Sequence, residues 1–371
     1  MSPNPSWAPY GTPRAAWNTE GRSNVESTHM DLFRQDRLAG TLLGVATNDG
    51  NSVATVQSGL AAAALVTASE PERVATGFRG ALVGWSLRHP WTADADTLHA
   101  AGCIALGLRR SGTLSPTSGA AARAAIIGAA MPYDVDERLA VGRALAEITH
   151  ADPRSVDAAL FVAEVAAACV LAPANGDRVS FVDRARWVVR SPELVVALHF
   201  ALELVEKKVT MDLAARELGI GNDATEAVPL AAFAFMRFGD SLDVAMEQFT
   251  RAVTPTRARA SQAILGAWVG TLSGAACLPW ERIACLREGP FGPTRLRELA
   301  ALLSARGQVD APEPTHEPRA AGPSICSVVP LEPKRPVESK GGGRGDVSGL
   351  AHSVAGTAAA RTSRRDRRHV R

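Results

Sequence analysis

The sequence predicts an all-α protein with a single compact multi-helix domain, and three observations lead to this prediction. Apolar residues recur with helical spacing through most of the 371-residue chain, whereas no alternating run is long enough for a convincing strand. Hydrophobic residues make up 46% of the chain but aromatic residues only 5%, so the core must be built from Ala, Leu and Val. Prolines such as Pro90, Pro132 and Pro192 fall between the periodic segments and separate them into helices.

Composition divides the chain into three parts. Residues 1–31 are rich in Pro, Ser, Asn and Gly without periodicity, which predicts a disordered leader. Residues 32–306 form the helical domain, and residues 307–371 are predicted to be a disordered Pro/Gly/Arg-rich tail. In order, the predicted helices cover residues 36–47, 53–68, 71–88, 96–108, 118–130, 136–149, 154–171, 181–189, 193–205, 211–218, 224–238, 241–252, 257–277 and 293–304.

The helix predicted at residues 257–277 is the centre of the domain. Gly266, Gly270 and Gly274 fall at i, i+4 and i+8, so they line one helix face and let another backbone approach closely. The uncharged length and this spacing also occur in transmembrane helices. Polar residues interrupt the apolar run, however, and most of the remainder is Gly and Ala. A central helix of a soluble protein is therefore the favoured interpretation.

Charge and cysteine content exclude few functions. The formal net charge is +2, which by itself implies no polyanionic partner. The basic C-terminal tail suits nucleic acid or an acidic surface, but a solubilising tail is favoured because no aromatic residues are interleaved for base stacking. The five cysteines form no CxxC pair and are expected to be small buried hydrophobes. Without a secretory signal, we expect a cytoplasmic protein without a membrane partner.

Two helix ends suggest binding sites. Asn48, Asp49 and Gly50 end a helix, which is an ordinary C-terminal stop. Ser118 begins a helix whose next turn carries Arg123, and free amides beside a guanidinium suit a phosphate or a carboxylate. Taken alone, however, the second pattern favours an ordinary N-cap followed by a surface arginine.

Two further segments stand out by position. Residues 149–153 read Thr-His-Ala-Asp-Pro, where Asp152 before a proline is a good helix start and His150 is either a core histidine or a ligand contact. Arg257 and Arg259 open the central helix, where the helix dipole disfavours cations, so they need an anionic partner or an exit to solvent. The sequence contains no phosphate loop, zinc-ligand spacing or defensible Ser/His/Asp order.

Taken in order, these segments resemble the ADP-ribosylglycohydrolase family over about residues 37–288. The family's opening G-x-x-x-G-x-x-x-G-D is matched by Gly40, Gly44 and Asp49, with Asn48 in place of the last glycine. Its other motifs also lie in register. G-N-G-x-x-M-R is similar to residues 117–123, T-H-x-x-P to residues 149–153, the aromatic-x-F-x-R-x-x-[DS] segment to residues 233–240, and G-A-x-x-G-A-x-x-G-x-x-x-[IL]-P to residues 266–279.

Both metal-ligand clusters of the family are altered here. The place of its T-D-D-T is taken by Ser52, Val53, Ala54 and Thr55, and in residues 255–260 each metal-binding Asp has become an Arg, namely Arg257 and Arg259. In the family, these carboxylates hold two Mg²⁺ or similar ions that orient the ribose and water. Replacing these carboxylates by two permanently charged arginines removes metal ligands and adds repulsion toward any metal ion. We therefore expect no cofactor, and Mg²⁺ only if the site survives in altered form.

The resemblance leaves three functions open. A metal-free pseudo-hydrolase would bind ADP-ribose, a related nucleotide or an ADP-ribosylated protein, the two arginines replacing the metals' volume and charge. An active hydrolase would cleave an N- or O-glycosidic bond to ADP-ribose with Asp49 or Asp152 as carboxylate base. A structural protein would reuse the bundle, with a collapsed cleft or with the arginines paired to acids such as Asp49. The predicted substrate-binding residues are Ser118, Gly119, Arg123, Thr149, His150, Arg257 and Arg259.

Overall fold

The computed structural model describes residues 19–50, 52–253 and 258–307, with side chains from residue 32 to residue 306 in those ranges. These residues form helices and no strand, apart from two isolated bridges, so the all-α prediction is confirmed. The helices are α1 (Thr19–Asp49), α2 (Val53–Thr67), α3 (Pro71–Arg88), α4 (Ala95–Ala105), α5 (Ala121–Ala130), α6 (Val135–Thr149), α7 (Pro153–Leu171), α8 (Arg178–Ala185), α9 (Pro192–Glu206), α10 (Met211–Leu218), α11 (Ala224–Phe238), α12 (Leu242–Ala252), α13 (Arg259–Ser273), α14 (Trp280–Ala284) and α15 (Pro293–Gly307).

Four points of the sequence prediction need correction. Helix α1 begins at Thr19 and so includes part of the segment predicted as a disordered leader. Helix α14 was not predicted, because five residues are too few to show a helical period. The predicted helix 257–277 ends at Ser273, since Gly274 has φ +84 and turns the chain into a short 3₁₀ segment. Cys277 and Cys285 are exposed, contrary to the expectation of buried cysteines.

Helices α1 and α13 approach each other along two rows of glycines. A Cβ on Gly40 would overlap the carbonyl oxygen of Gly270, and one on Gly44 would overlap that of Gly266. The overlap is reciprocal, because a Cβ on Gly266 or Gly270 would meet the oxygen of its partner. The predicted close approach at the central helix is confirmed, and it fixes the end of α1 beside the start of α13.

Helix α7 lies in the core and is buried along most of its length. Its C-terminal end is closed by Arg37, whose Nη1 donates to the carbonyl oxygens of Cys169 and Val170 at 2.8 and 2.9 Å. A buried cation is stabilised there by the carbonyls left unpaired at a helix end. Helix α6 is attached to α7 by an ion pair between Arg138 and Glu164, with N–O distances of 2.6 and 3.0 Å. Across the described ranges, none of the helices is both long and apolar enough to cross a membrane.

Candidate functional site

A cavity of about 380 Å³ opens where the amino-terminal ends of α2, α4 and α13 meet the turn before α5. The end of α1 reaches the same place because α1 and α13 pack so closely. The cavity therefore collects side chains from segments that are far apart in the sequence. Its lining is Asp49, Ser52, Val53, Ala54, Asp94, Asp96, Thr117, Ser118, Gly119, Ala122, Asn222, Arg259 and Ala260.

Asp49 lies on the cavity wall but is hydrogen-bonded to the start of α2. One carboxylate oxygen accepts from the Ser52 hydroxyl at 2.5 Å, and the other accepts from the backbone N–H and the hydroxyl of Thr55 at 2.9 and 3.2 Å. Ser52 occupies the N-cap position without bonding a backbone amide itself. Asp49 therefore supplies the cap of α2, and only 6% of its surface is exposed.

His150 is buried directly beneath the cavity. Its Nε2 lies 2.9 Å from Thr117 Oγ1 and 3.3 Å from a carboxylate oxygen of Asp96, and its Nδ1 lies 2.7 Å from Thr149 Oγ1. Thr149 Oγ1 accepts from Arg123 at 2.6 Å, so its own proton is free to be donated to Nδ1. Because a carboxylate only accepts, the consistent arrangement has the imidazole proton on Nε2.

Burial is the main reason that the pKa of His150 falls from 6.5 to about 4. The Arg123 cation lowers it further, and the Asp96 carboxylate opposes the shift. The imidazole is therefore neutral at neutral pH, in agreement with the single proton that its hydrogen bonds require. Thr149 and His150 are 0% and 1% exposed, so neither reaches the cavity surface.

Arg123, a predicted substrate-binding residue, points into the core and does not line the cavity; it is not a surface arginine either. It is 1% exposed and donates to Gln57 Oε1, to Thr149 Oγ1 and to the carbonyl oxygen of Leu145 at 2.8 Å. Its Nε has no partner among the described residues, and burial lowers its pKa to about 10. Arg123 therefore remains a buried cation at neutral pH, and its neighbour Ala122 forms part of the cavity wall.

Ser118 and Gly119, which the sequence suggested as substrate-binding residues, line the cavity, although Ser118 is not a free cap. Its backbone N–H and hydroxyl both donate to the carbonyl oxygen of Asn222, at 2.7 and 3.1 Å, which fastens the turn before α5 to the start of α11. A Cβ on Gly119 would lie 2.7 Å from two atoms of the His150 ring. Gly119 is thus required for the close approach of this turn to the histidine.

The two arginines predicted to open the central helix have different outcomes. Arg259 is exposed and lines the cavity, on the wall that also contains Ala54 and Ala260. Within the described part of the chain it forms no ion pair. Arg257 lies outside the described residues, so its predicted role stays a prediction.

Asp152 is not part of this cavity, which corrects the prediction that it shares the cleft with Asp49. It caps α7 and accepts two hydrogen bonds from the Arg154 side chain, at 3.0 and 2.9 Å. These hydrogen bonds lower the pKa of its carboxyl group. It lines a separate cavity with Pro153, Arg190 and other residues at the starts of α7 and α9.

The cavity contains carboxylates that the sequence did not single out. Asp94 caps α4 by accepting the N–H of Thr97 at 2.7 Å, and Asp96 accepts from the hydroxyls of Thr113 and Thr117 at 2.8 and 3.2 Å. Acids at a helix start are so common that their pattern gave no signal of a site. Asn222, which also lines the cavity, was not predicted as a site residue either.

These carboxylates do not fit the family's pair of metal ions. Both oxygens of Asp49 and both of Asp96 already accept hydrogen bonds from the protein, so that among these described carboxylates only one oxygen of Asp94 is left without a hydrogen bond. Arg259 adds a positive charge to the same wall. A divalent ion needs several free oxygen ligands. Within residues 32–306 as described, no group of three or more His, Cys, Asp or Glu side chains is placed to hold a metal ion.

Comparison with known proteins supports the family resemblance. A family model described as ADP-ribosylglycohydrolase matches residues 51–312. A solved structure described as "ADP-ribosylglycohydrolase-related protein complex" is similar with a TM-score of 0.57 and 19% identity, over 73% of this chain and 98% of that chain. At this identity, the likeness shows a shared fold. Comparison with curated proteins gives no match. The family model spans most of the helical domain, and the chain therefore belongs to the ADP-ribosylglycohydrolase family.

Proposed function

We propose that this protein binds ADP-ribose or a related nucleotide in the cavity beside Arg259, without metal ions and without hydrolysing it. The observation that carries the proposal is the position of Arg259. It is an exposed cation on the cavity wall that forms no ion pair in the described part of the chain. It stands where the family motif has a metal-binding acid, so that it offers an anionic ligand the positive charge that a metal ion would otherwise supply.

The polar groups around Arg259 suit both parts of such a ligand. A guanidinium donates two parallel hydrogen bonds to phosphate oxygens. Asp94 uses one carboxylate oxygen for the Thr97 amide, and its other oxygen has no hydrogen bond within the described residues. That oxygen is available to accept a ribose hydroxyl. A volume of about 380 Å³ lies within the usual range for small-molecule sites.

The buried Arg123 supports anion binding through its electric field. It lies beneath Ala122 in surroundings of low dielectric constant, where a charge acts over longer distances than in water. With a pKa of about 10, Arg123 stays positively charged at neutral pH. The field opposes the repulsion that the cavity's carboxylates exert on a diphosphate.

The lack of hydrolysis is proposed because neither predicted base is available. The oxygens of Asp49 are engaged by Ser52 and Thr55, and Asp152 lines another cavity. One observation favours an active hydrolase as the second candidate, namely the free oxygen of Asp94 in the cavity. A carboxylate in that position is able to act as a general base if a substrate brings its glycosidic carbon within reach.

The test is a calorimetric titration of the full chain with ADP-ribose, in chelator and again in excess Mg²⁺, with product analysis after each titration. We expect binding in chelator, no released product, and at least about tenfold weaker binding for Arg259→Asp, equivalent to about 1.4 kcal/mol. The control is Arg110→Asp, which makes the same charge change at an exposed arginine outside the cavity. Binding only with Mg²⁺, or product formation, would support the hydrolase, while no binding in either buffer would support a structural role.

A further inference from the structure

We propose that the cavity at the starts of α7 and α9 binds a free α-amino acid in its zwitterionic form. This cavity has a volume of about 720 Å³ and shares no lining residue with the cavity beside Arg259. The proposal is therefore independent of the function proposed above. A buried carboxylate, an exposed arginine and the start of α9 carry it, because each retains a binding group that the protein itself does not use.

Asp157 supplies the negative charge for the ammonium group of the ligand. It lies on α7, lines the cavity and is only 4% exposed. Its Oδ2 accepts hydrogen bonds from the backbone N–H of Arg190 at 2.8 Å and from the N–H and the hydroxyl of Ser191, both at 2.6 Å. Its Oδ1 accepts no hydrogen bond within the described residues. A nearly buried carboxylate with one open oxygen suits a cationic N–H donor.

The start of α9 supplies donors for the carboxylate group of the ligand. Pro192 opens this helix, and Ser191 at the N-cap position bonds no amide, because its hydroxyl is donated to Asp157. The N–H groups of Glu193 and Leu194, the first that the helix offers, are thus left without a side-chain cap. A helix start with open amides carries a partial positive charge and binds carboxylates.

Arg190 adds a full positive charge beside these amides. Its side chain is exposed, lines the cavity and forms no ion pair in the described part of the chain. Its backbone N–H nevertheless bonds Asp157, so the two opposite charges project from neighbouring points without neutralising each other. The other two arginines of the lining already have partners: Arg154 lies 2.9 Å from an oxygen of Asp152, and Arg143 lies 3.9 Å from one of Glu147.

This arrangement of charges disfavours simpler ligands. A lone anion would be repelled by Asp157 and Glu193, and a lone cation would be repelled by Arg190 and by the start of α9. A quaternary ammonium group has no N–H to donate to Asp157. The terminal residue of a peptide carries only one of the two charges. A free α-amino acid carries both within a few bonds, and Pro153 and Pro192 offer apolar surface to its side chain.

The test screens the common L-α-amino acids by thermal shift of the full chain and then titrates the tightest binder in its free, N-acetylated and carboxamide forms. We expect the free form to bind at least about tenfold more tightly than either modified form. Arg190→Gln should remove the preference over the carboxamide and keep the preference over the N-acetyl form, and Asp157→Asn should do the reverse. The control is Arg184→Gln, which neutralises an exposed arginine outside the cavity.

The failures of this proposal and of the proposed function are distinguishable, because both variants should bind ADP-ribose as the wild type does. Arg190→Gln alters an exposed side chain and keeps the test decisive if Asp157→Asn does not fold. Absence of binding by every free amino acid overturns the proposal, and so does equal affinity for the three forms. Chemical-shift changes at the amides of Glu193 and Leu194 during the titration would support it, whereas changes confined to other regions would contradict it.

Discussion

Asp49 accepts hydrogen bonds from both the backbone N–H and the hydroxyl of Thr55, at 2.9 and 3.2 Å, and thereby closes the first turn of α2. Thr55 stands at the last position of the segment that replaces the family's T-D-D-T motif. An acid that the sequence suggested as a base is therefore a capping residue in the structure. Because Asp49 caps α2, its contribution to stability can be measured separately from any role in catalysis.

Replacement of Asp49 by alanine should lower the free energy of unfolding by about 2 kcal/mol, because a buried cap is lost and the Thr55 amide is left without its partner. Asp49→Asn should lose less, since its amide oxygen still accepts one bond. Denaturant unfolding measures both. Asp134 caps α6 from an exposed position, and Asp134→Ala is the control, with an expected loss of about 1 kcal/mol. Equal losses at the two sites would show that Asp49 has no special role.

Gly270→Ala should destabilise the protein by about 3 kcal/mol or more, because the added methyl group overlaps the carbonyl oxygen of Gly40 and neither helix backbone is able to move alone. The matched control is Gly80→Ala in α3, where nothing lies within 4 Å of the new Cβ. That variant should gain about 0.5–1 kcal/mol from helix propensity. Thermal and denaturant unfolding compare them. A neutral Gly270→Ala would contradict the close packing of α1 on α13.

Glu164→Gln should cost about 3 kcal/mol, because it leaves the Arg138 guanidinium buried opposite a neutral group. The double variant Arg138→Met, Glu164→Leu should be more stable than Glu164→Leu alone, since no unpaired charge remains. A double-mutant cycle in denaturant gives the coupling energy. Additive effects of the two substitutions would mean that the pair is not coupled, contrary to its N–O distance of 2.6 Å.

His150 should make stability depend on pH between about 6.5 and about 4. Its folded-state pKa of about 4 lies below the ordinary value of 6.5, so in this window the unfolded chain binds a proton that the folded chain does not. Stability from the neutral imidazole is complete above pH 6.5 and is lost as the pH falls, on the order of 3 kcal/mol by pH 4. Unfolding of the wild type and of His150→Gln across this range measures the difference. A His150 imidazole that titrates near 6.5 by NMR would refute the prediction.

The local sequence was sufficient to predict most helices, because periodicity and capping act over a few residues. The ends of α10 and α11 coincide with their predicted bounds, Met211–Leu218 and Ala224–Phe238. The spacing of Gly266 and Gly270 also predicted a close helix contact, since a glycine row has few other uses in a core. The motifs also indicated the family from the sequence, because each motif is continuous in the chain.

The site itself depends on tertiary structure. Arg123 and Ser118 share one short motif, yet the rotation of α5 against its neighbours turns Arg123 into the core and leaves Ser118 on the cavity wall. Asp49 and Asp152 both end or begin helices, but they line different cavities. The helices, the glycine contact and the residues at the family's metal-ligand motifs could all be read from the sequence. Which polar groups meet could not be predicted, because the helix ends that form the cavity come from distant parts of the chain and their approach is set by core packing.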